Sequence, residues 1–443
     1  MIARIGLRPG GPLWRELVRS FITLAAGESI ARAIGFVAVI LMARRLGPGG
    51  FGVAILGMTL VHSFRSIVDS GTEIMGVRNT SRTTDRFREL TEPVLGLRLA
   101  LCLTASLLFA AIALTIPAAA DDRRALVMFA FVLPVMGLNI RFMVLGVDAP
   151  KAAAFGHVAA QILFALGTLF LLHDRNDLPR VPLLYAAAEM LYAAIIMTVV
   201  ARQVGIIRPR IELDAWRQAV RTGLPLAVTG LAGAAKYSLG LLLIASLLDA
   251  KNVGLFGAAY KPVMFFSTLL ALLSLSFLSM YSRSVGGKEH GELTRKTVVA
   301  AAVVTVPLAI VVSAGSGTVL SMAFGPDYAG SAAPLAILAW TLPLLAMSLP
   351  YGNILIAGDR QWLFMRHNIA GVIASVAGTA AAIPLFGLAG AAYATVLAAA
   401  LVMALNYRSA VRLGLTESLW AVFSGRSAEQ PTVPSPPGGS EQP

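Results

Sequence analysis

Apolar residues run through most of the chain in long blocks, each broken by a short cluster of Gly, Pro or charge. A helix that crosses a bilayer needs roughly 20 mostly apolar residues. Twelve blocks meet that length, at about 20–43, 51–76, 92–117, 125–147, 152–172, 181–201, 222–247, 253–281, 297–314, 331–357, 365–384 and 388–407. The pattern predicts an all-α, polytopic membrane protein of about 12 transmembrane helices. The first block is a full span followed by Arg44-Arg45 and not by a small-residue cleavage site, so it reads as a span and not as a cleavable leader. Polar stretches are short, apart from a tail over 425–443 rich in Pro, Ser and Gly that reads as disordered. A short interfacial helix is expected around 415–423.

Composition agrees with this pattern. The 443 residues are 57% hydrophobic and 13% charged with mean hydropathy +0.76, against about 45–50% and about 25% in soluble proteins. The net charge of +13 would suit nucleic acid, but its placement argues otherwise. Of 36 Lys and Arg, 23 fall on one side of the predicted membrane and 7 on the other, with six inside spans. That asymmetry persists along the whole chain, as the positive-inside rule requires for an even number of spans with both termini cytoplasmic. A single miscounted span would reverse the bias midway. No nucleic-acid partner is expected.

The lone cysteine, Cys102, lies inside an apolar run and reads as packing. No nucleotide-phosphate loop, zinc-type His cluster or Ser/His/Asp constellation is legible. Neither a cofactor nor a metal is expected, and the chain does not read as an enzyme.

The two halves resemble each other. Leu46-Gly47-Pro48-Gly49-Gly50-Phe51-Gly52-Val53 aligns with Leu248-Asp249-Ala250-Lys251-Asn252-Val253-Gly254-Leu255 at an offset of 202, and Asp148 and Gly167 align with Asp359 and Gly378 at an offset of 211. The equivalent spans run in the same direction, so the duplication is parallel. It predicts a six-helix bundle over 1–205 and another over 206–424.

Three segments carry a family resemblance: Arg44-Arg45-Leu46-Gly47-Pro48-Gly49-Gly50-Phe51-Gly52, Phe324-Gly325-Pro326-Asp327-Tyr328 and Phe386-Gly387-Leu388-Ala389-Gly390-Ala391-Ala392-Tyr393-Ala394-Thr395. The chain thereby resembles the polysaccharide-transporter branch of the multidrug, oligosaccharidyl-lipid and polysaccharide exporter superfamily, which includes flippases for lipid-linked O-antigen and exopolysaccharide units. The resemblance implies two six-helix bundles forming a V around a central cavity, in the bacterial inner membrane. It implies movement of undecaprenyl-diphosphate-linked oligosaccharide between leaflets by alternating access, with membrane lipids and polysaccharide polymerase or export proteins as further partners. The peptidoglycan-precursor flippases typically carry two extra spans, which this chain lacks.

Charge in hydrocarbon costs at least a few kcal/mol, so ionisable residues inside spans invite a functional reading. The bases are Arg32, Arg65, Arg98, Arg141, Lys236 and Lys261; the acids are Glu28, Asp69, Glu73 and Glu189. Lys236 and Lys261 have no intramembrane acid in the second half and are the strongest candidates to contact substrate, followed by the four arginines. Glu28 with Arg32, and Arg65 with Asp69, are spaced i,i+4, so each pair could equally be a self-neutralising structural bridge. Arg98 and Arg141 lie near span ends, where snorkelling is an adequate alternative. Glu189, mid-span, is the best lone candidate for ion or proton coupling, with Asp69 and Glu28 behind it. Asp69 and Glu73 also suit a proton carrier, unless Glu73 lies solvated beyond a break at Ser70-Gly71-Thr72. His62, His157 and Gln161 could line the same cavity. Tyr237, Tyr260, Tyr351 and Trp340 either stack on sugar faces or anchor span ends.

A cationic cavity suits a diphosphate head group, whose charge Arg and Lys can hold while the lipid tail stays in the bilayer. A multidrug exporter of the same superfamily is the nearest alternative, and would favour acidic cavity residues. A membrane glycan polymerase or ligase would want a substantial external loop; the longest here, near 315–330, carries one charge, Asp327. A scaffold within an export complex is the remaining reading.

Overall fold

The computed structural model of the chain describes residues 12–80, 87–116, 118–141, 143, 150–284 and 289–416. The predicted tail and most of the predicted interfacial helix lie outside these residues, as does Asp148. Among the described residues the chain is helical almost throughout and contains no strand. It is an all-α, multi-pass membrane protein. Eight helical segments among the described residues are long and apolar enough to cross a membrane. Large apolar side chains such as Leu107 and Leu385, each 75% exposed, line the helix surfaces and suit hydrocarbon, not water.

Helix α1, Pro12–Thr80, contains the first two predicted spans. Its break is at Gly47 (φ 66, ψ 174), a backbone geometry essentially reserved for glycine, and the following Pro48 has no N–H to continue the helix. No break occurs at Ser70-Gly71-Thr72, contrary to the expectation from sequence, because one helical glycine costs only about 1 kcal/mol and no proline accompanies it. The side chain of Glu73 lies outside those described.

Helix α2 is Phe87–Thr115. The fourth predicted span is not one helix: α3, Ala120–Met128, passes through a 3-10 turn at Phe129–Phe131 into α4, Val132–Gly137, where the helix ends. Pro134 is the cause. It cannot donate to the Ala130 carbonyl, and the Ser106 hydroxyl donates there instead at 2.7 Å. Helices α5 (Pro150–Leu171), α6 (Arg180–Val204), α7 (Leu213–Leu247) and α8 (Ala250–Ser284) follow.

Beyond them are α9 (Glu289–Ala314), α10 (Ser316–Phe324), α11 (Ala332–Leu338), α12 (Thr341–Ala357) and α13 (Gln361–Arg412). Helix α13 joins two predicted spans across a kink at Gly387 (φ 55, ψ −136).

The chain divides into two compact units. One comprises the described residues up to Ala258 together with Leu320–Ser331; the other comprises Ala259–Val319 and the described residues from Ala332. In the first, α1 packs chiefly on α5 and α7, and α5 on α6. Close approach depends on small residues: a Cβ on Gly27 would strike Ala154, and one on Gly156 the Tyr192 ring. Here too the segment 320–331 docks on α1, where Tyr328 Oη donates to Ala43 O at 2.9 Å and Arg44 donates to the Met322 and Ala323 carbonyls at the end of α10.

In the second unit α13 packs on α12, and α9 on α12. A buried polar chain ties α12 to α13: His367 Nδ1 lies 2.8 Å from Asn406 Oδ1, Asn406 Nδ2 donates to Ser348 Oγ at 3.1 Å, and Ser409 Oγ lies 3.3 Å from His367 Nε2. Because Asn406 Oδ1 can only accept, His367 carries its proton on Nδ1.

Candidate functional site

Helical periodicity puts Arg65 and Asp69 on one face of α1, and the i,i+4 pair forms, with Arg65 Nε 2.9 Å from Asp69 Oδ2. Arg65 also reaches α6, placing Nη1 3.5 Å from Glu189 Oε1. The other Asp69 oxygen, Oδ1, accepts from Arg98 Nη2 on α2. Arg98 Nε donates to Gly137 O at 3.2 Å. Helix α4 ends at Gly137, so that carbonyl has lost its helical partner and Arg98 supplies one. The Arg98 side chain is 3% exposed. It turns into the bundle and does not snorkel.

A second group lies on neighbouring turns. Glu28 Oε1 accepts from Arg32 at 2.8 Å, one turn along α1, and Glu28 Oε2 lies 3.0 Å from His157 Nδ1 on α5. Since Glu28 accepts, Nδ1 bears the proton, and His157 Nε2 faces Gln161 Nε2 at 3.5 Å. The His157 ring stacks on Tyr192 of α6, with centroids 5.6 Å apart and planes 23° apart. Tyr192 is three residues from Glu189 on the same helical face, and lies within electrostatic reach of Glu28, Arg65, Glu189 and Arg141. Helix α6 thereby connects the two groups into one charged seam.

The seam gathers every intramembrane charge predicted on the first six spans whose side chain is described: Glu28, Arg32, Arg65, Asp69, Arg98, Arg141 and Glu189. Four arginines face three carboxylates. Most of this charge is neutralised in place, but two atoms are buried without a hydrogen-bond partner among the described residues, Glu189 Oε2 and Arg141 Nε. Buried polar atoms of this kind are costly and rare.

The remaining candidates are placed as follows. Lys261, on α8 in the second unit, is half-buried and makes no hydrogen bond or ion pair among the described residues. Lys236 is on α7, with its side chain outside those described. Tyr351 is 2% exposed and packs edge-on against Tyr407, so it is a core residue and not a free stacking platform. Trp340 is 41% exposed at the start of α12. Tyr237 and Tyr260 are half-buried, and His62 is exposed. Cys102 is buried, as expected for packing.

Two residues that sequence reasoning left aside belong to the structure of this unit. Tyr192 joins the two charge groups; its spacing from Glu189 was the only available signal. Arg44 was placed among loop charges, and its carbonyl partners lie 278 and 279 residues away, a separation without any local signature.

Among solved structures, the fold is similar to that of the lipid II flippase MurJ in an inward closed conformation, with TM-score 0.71 at 12% identity over 92% of this chain and 94% of that one. It is also similar to an inward-facing multidrug resistance MATE family transporter of the MOP superfamily, with TM-score 0.70 at 14% identity over 91% of this chain and all of that one. A MOP superfamily transporter from Pyrococcus furiosus Vc1, described as having a binding pocket of reverse polarity, gives TM-score 0.57 at 14% identity over 90% and 95%. These likenesses establish the MurJ/MATE-type transporter fold. No curated protein matches the sequence significantly. Residues 17–278 match the polysaccharide biosynthesis protein family, and the chain belongs to that family.

Proposed function

We propose that this protein is a flippase that moves undecaprenyl-diphosphate-linked oligosaccharide repeat units from the cytoplasmic to the periplasmic leaflet of the bacterial inner membrane, for O-antigen or exopolysaccharide synthesis. The observation that carries the reading is the seam of four arginines and three carboxylates, buried at Arg98 and Glu189 and open at Arg32, in a polysaccharide-biosynthesis chain with a flippase-type fold. Transport proceeds by alternating access of the two six-span repeats, 1–205 and 206–424, with both termini cytoplasmic. Diphosphate is a hard anion that guanidinium groups bind through paired N–H donors.

Within the seam Arg65 and Arg98 are committed to carboxylates, so they set the positive potential and the geometry. Arg32 and Arg141 retain more free donor capacity for phosphate oxygens. Lys236 and Lys261 are substrate contacts on their own helices. Glu189, with one oxygen unpartnered, takes up and releases the coupling proton or ion, and Asp69 and Glu28 tune it. Polysaccharide polymerase or export proteins receive the product.

The exporter reading would use open carboxylates to bind cationic drugs. Here each seam carboxylate has at least one cationic or histidine partner, which disfavours it.

The test is a chromosomal deletion complemented with wild type, with Arg32→Ala plus Arg141→Ala, or with Lys236→Ala plus Lys261→Ala. Surface polymer and intracellular lipid-linked oligosaccharide are both assayed. The reading expects the deletion to lose surface glycan and accumulate lipid-linked units, with the expressed double variants failing to rescue. Normal surface glycan with altered drug sensitivity would instead establish the exporter.

A further inference from the structure

The connector between α6 and α7 has a surface unlike that of an ordinary loop. Helix α6 closes at Gly205 (φ 83), whose N–H donates to Ala201 O at 2.9 Å. From there the chain runs without helix to Glu212, where α7 begins. This stretch is fastened to the start of α2. Arg210 N–H donates to Glu92 O at 3.1 Å, Arg208 N–H to Glu92 Oε1 at 3.4 Å, and the Trp216 indole to Pro93 O at 2.9 Å. The Arg210 carbonyl lies so close to Gly96 that a Cβ there would collide with it.

Fastening decides which side chains face out. Ile207 is the plug, 6% exposed, which leaves Ile206 at 70%, Ile211 at 78% and Leu213 at 72% exposed. Around them Arg202, Arg208, Arg210, Arg217 and Arg221 are all exposed. Opposing acids on the stretch are Glu212 and Asp214, and the one ion pair among its described residues is Arg210 to Glu212 at 3.9 Å. An aqueous loop has no use for three isoleucine and leucine side chains in the open. The stretch joins two helices of a membrane protein, and at that depth apolar side chains reach the hydrocarbon edge while guanidinium groups reach phosphate.

We propose that residues 202–221 form a rigid interfacial saddle that binds anionic phospholipid head groups of the adjoining leaflet, through Arg208 and Arg210 above all. Charge complementarity selects the occupant: the patch carries five arginines against two acids, and its apolar rim requires acyl chains beside the phosphate. Backbone fastening fixes the points from which the two central arginines emerge, so the chain itself incurs little ordering cost on binding. The inference is independent of what the seam transports.

The full chain, reconstituted in vesicles of phosphatidylcholine with or without phosphatidylglycerol, is extracted, and its retained lipids are counted by native mass spectrometry. Wild type should retain phosphatidylglycerol in preference to phosphatidylcholine, and the preference should fall with added salt. Arg208→Gln plus Arg210→Gln should reduce the preference roughly five-fold for each arginine removed, whereas Arg208→Lys plus Arg210→Lys should keep most of it. Arg123→Gln plus Arg124→Gln, exposed charges elsewhere, should leave it unchanged. The proposal is overturned if wild type shows no preference, if salt does not weaken it, or if the Arg123/Arg124 variant loses as much. It is equally overturned if inorganic phosphate displaces the lipid, which would mark a free-anion site, or if only an acidic peptide binds. Should the glutamine variant not fold, the salt series on wild type alone decides.

Discussion

Gly52 and Gly254 meet backbone to backbone, and the contact is reciprocal: a Cβ on Gly52 would strike the Ala250 carbonyl and the Gly254 amide, and a Cβ on Gly254 the Pro48 carbonyl and the Gly52 amide. Pro48 and Ala250, like Gly52 and Gly254, are 202 residues apart, the offset at which the sequence repeats itself. Each glycine therefore meets the backbone that flanks the other. Such approach is possible only without side chains, which accounts for glycine at both 52 and 254.

Gly52→Ala and Gly254→Ala should therefore be equally harmful. The obstructing atoms belong to backbone, which cannot swing aside as a side chain can, so about 3 kcal/mol is expected from each, at the upper end of overpacking costs. Gly240→Ala is the control, since nothing lies within 4 Å of its Cβ and alanine gains up to about 1 kcal/mol of helix propensity. Thermal unfolding of the purified variants in detergent measures all three. Unchanged melting of Gly52→Ala would contradict the contact.

Arg98 answers two demands at once, the carboxylate of Asp69 and the carbonyl that the end of α4 leaves open. Arg98→Leu should cost about 1–3 kcal/mol, because it removes one of the two arginine partners of Asp69 and leaves the buried Gly137 carbonyl open. Arg98→Leu combined with Asp69→Asn should recover part of that loss, since the remaining amide carries no charge to desolvate. A double-mutant cycle in unfolding free energy measures the coupling, and strict additivity would show that the two side chains do not interact.

Glu189→Gln preserves shape and leaves Arg65 its second partner, Asp69. The variant should fold with a melting temperature near that of wild type, yet lose the response of lipid-linked oligosaccharide flipping to an imposed pH gradient in proteoliposomes. A variant that still accelerates under the gradient would remove Glu189 from the coupling role.

How much of this was legible beforehand depends on the range of the interaction. Spans, the break at Gly47-Pro48 and the i,i+4 bridges of Glu28 with Arg32 and Arg65 with Asp69 are local, and local spacing reports them. The helix runs through Gly71 without a kink, against the expectation from sequence, because a glycine breaks a helix only when other breakers accompany it. The broken fourth span follows from Pro134, a signal that was present but outweighed by hydropathy. The link of Arg98 to Gly137 depends on a helix end that no charge pattern reveals. Pairing of Glu28 with His157, 129 residues away, is a tertiary event, and sequence could nominate both residues without joining them.

The same holds for Asn406, whose amide bridges His367 and Ser348 inside the second unit at 0% exposure. Asn406→Ala removes an acceptor from His367 Nδ1–H and a donor from Ser348, and leaves both buried groups unpaired. Each stranded group costs about 1–3 kcal/mol, so the single variant should be among the most destabilising polar changes in this unit. If the loss arises from stranded partners and not from lost volume, then removing the partners as well must return stability. His367→Phe, Asn406→Leu and Ser348→Ala in combination keep the interior filled and leave Ser409 free to bond back to its own helix. The triple variant should melt above Asn406→Ala. A triple variant that melts below it would show that packing around Asn406, and not hydrogen bonding, is what joins α12 to α13.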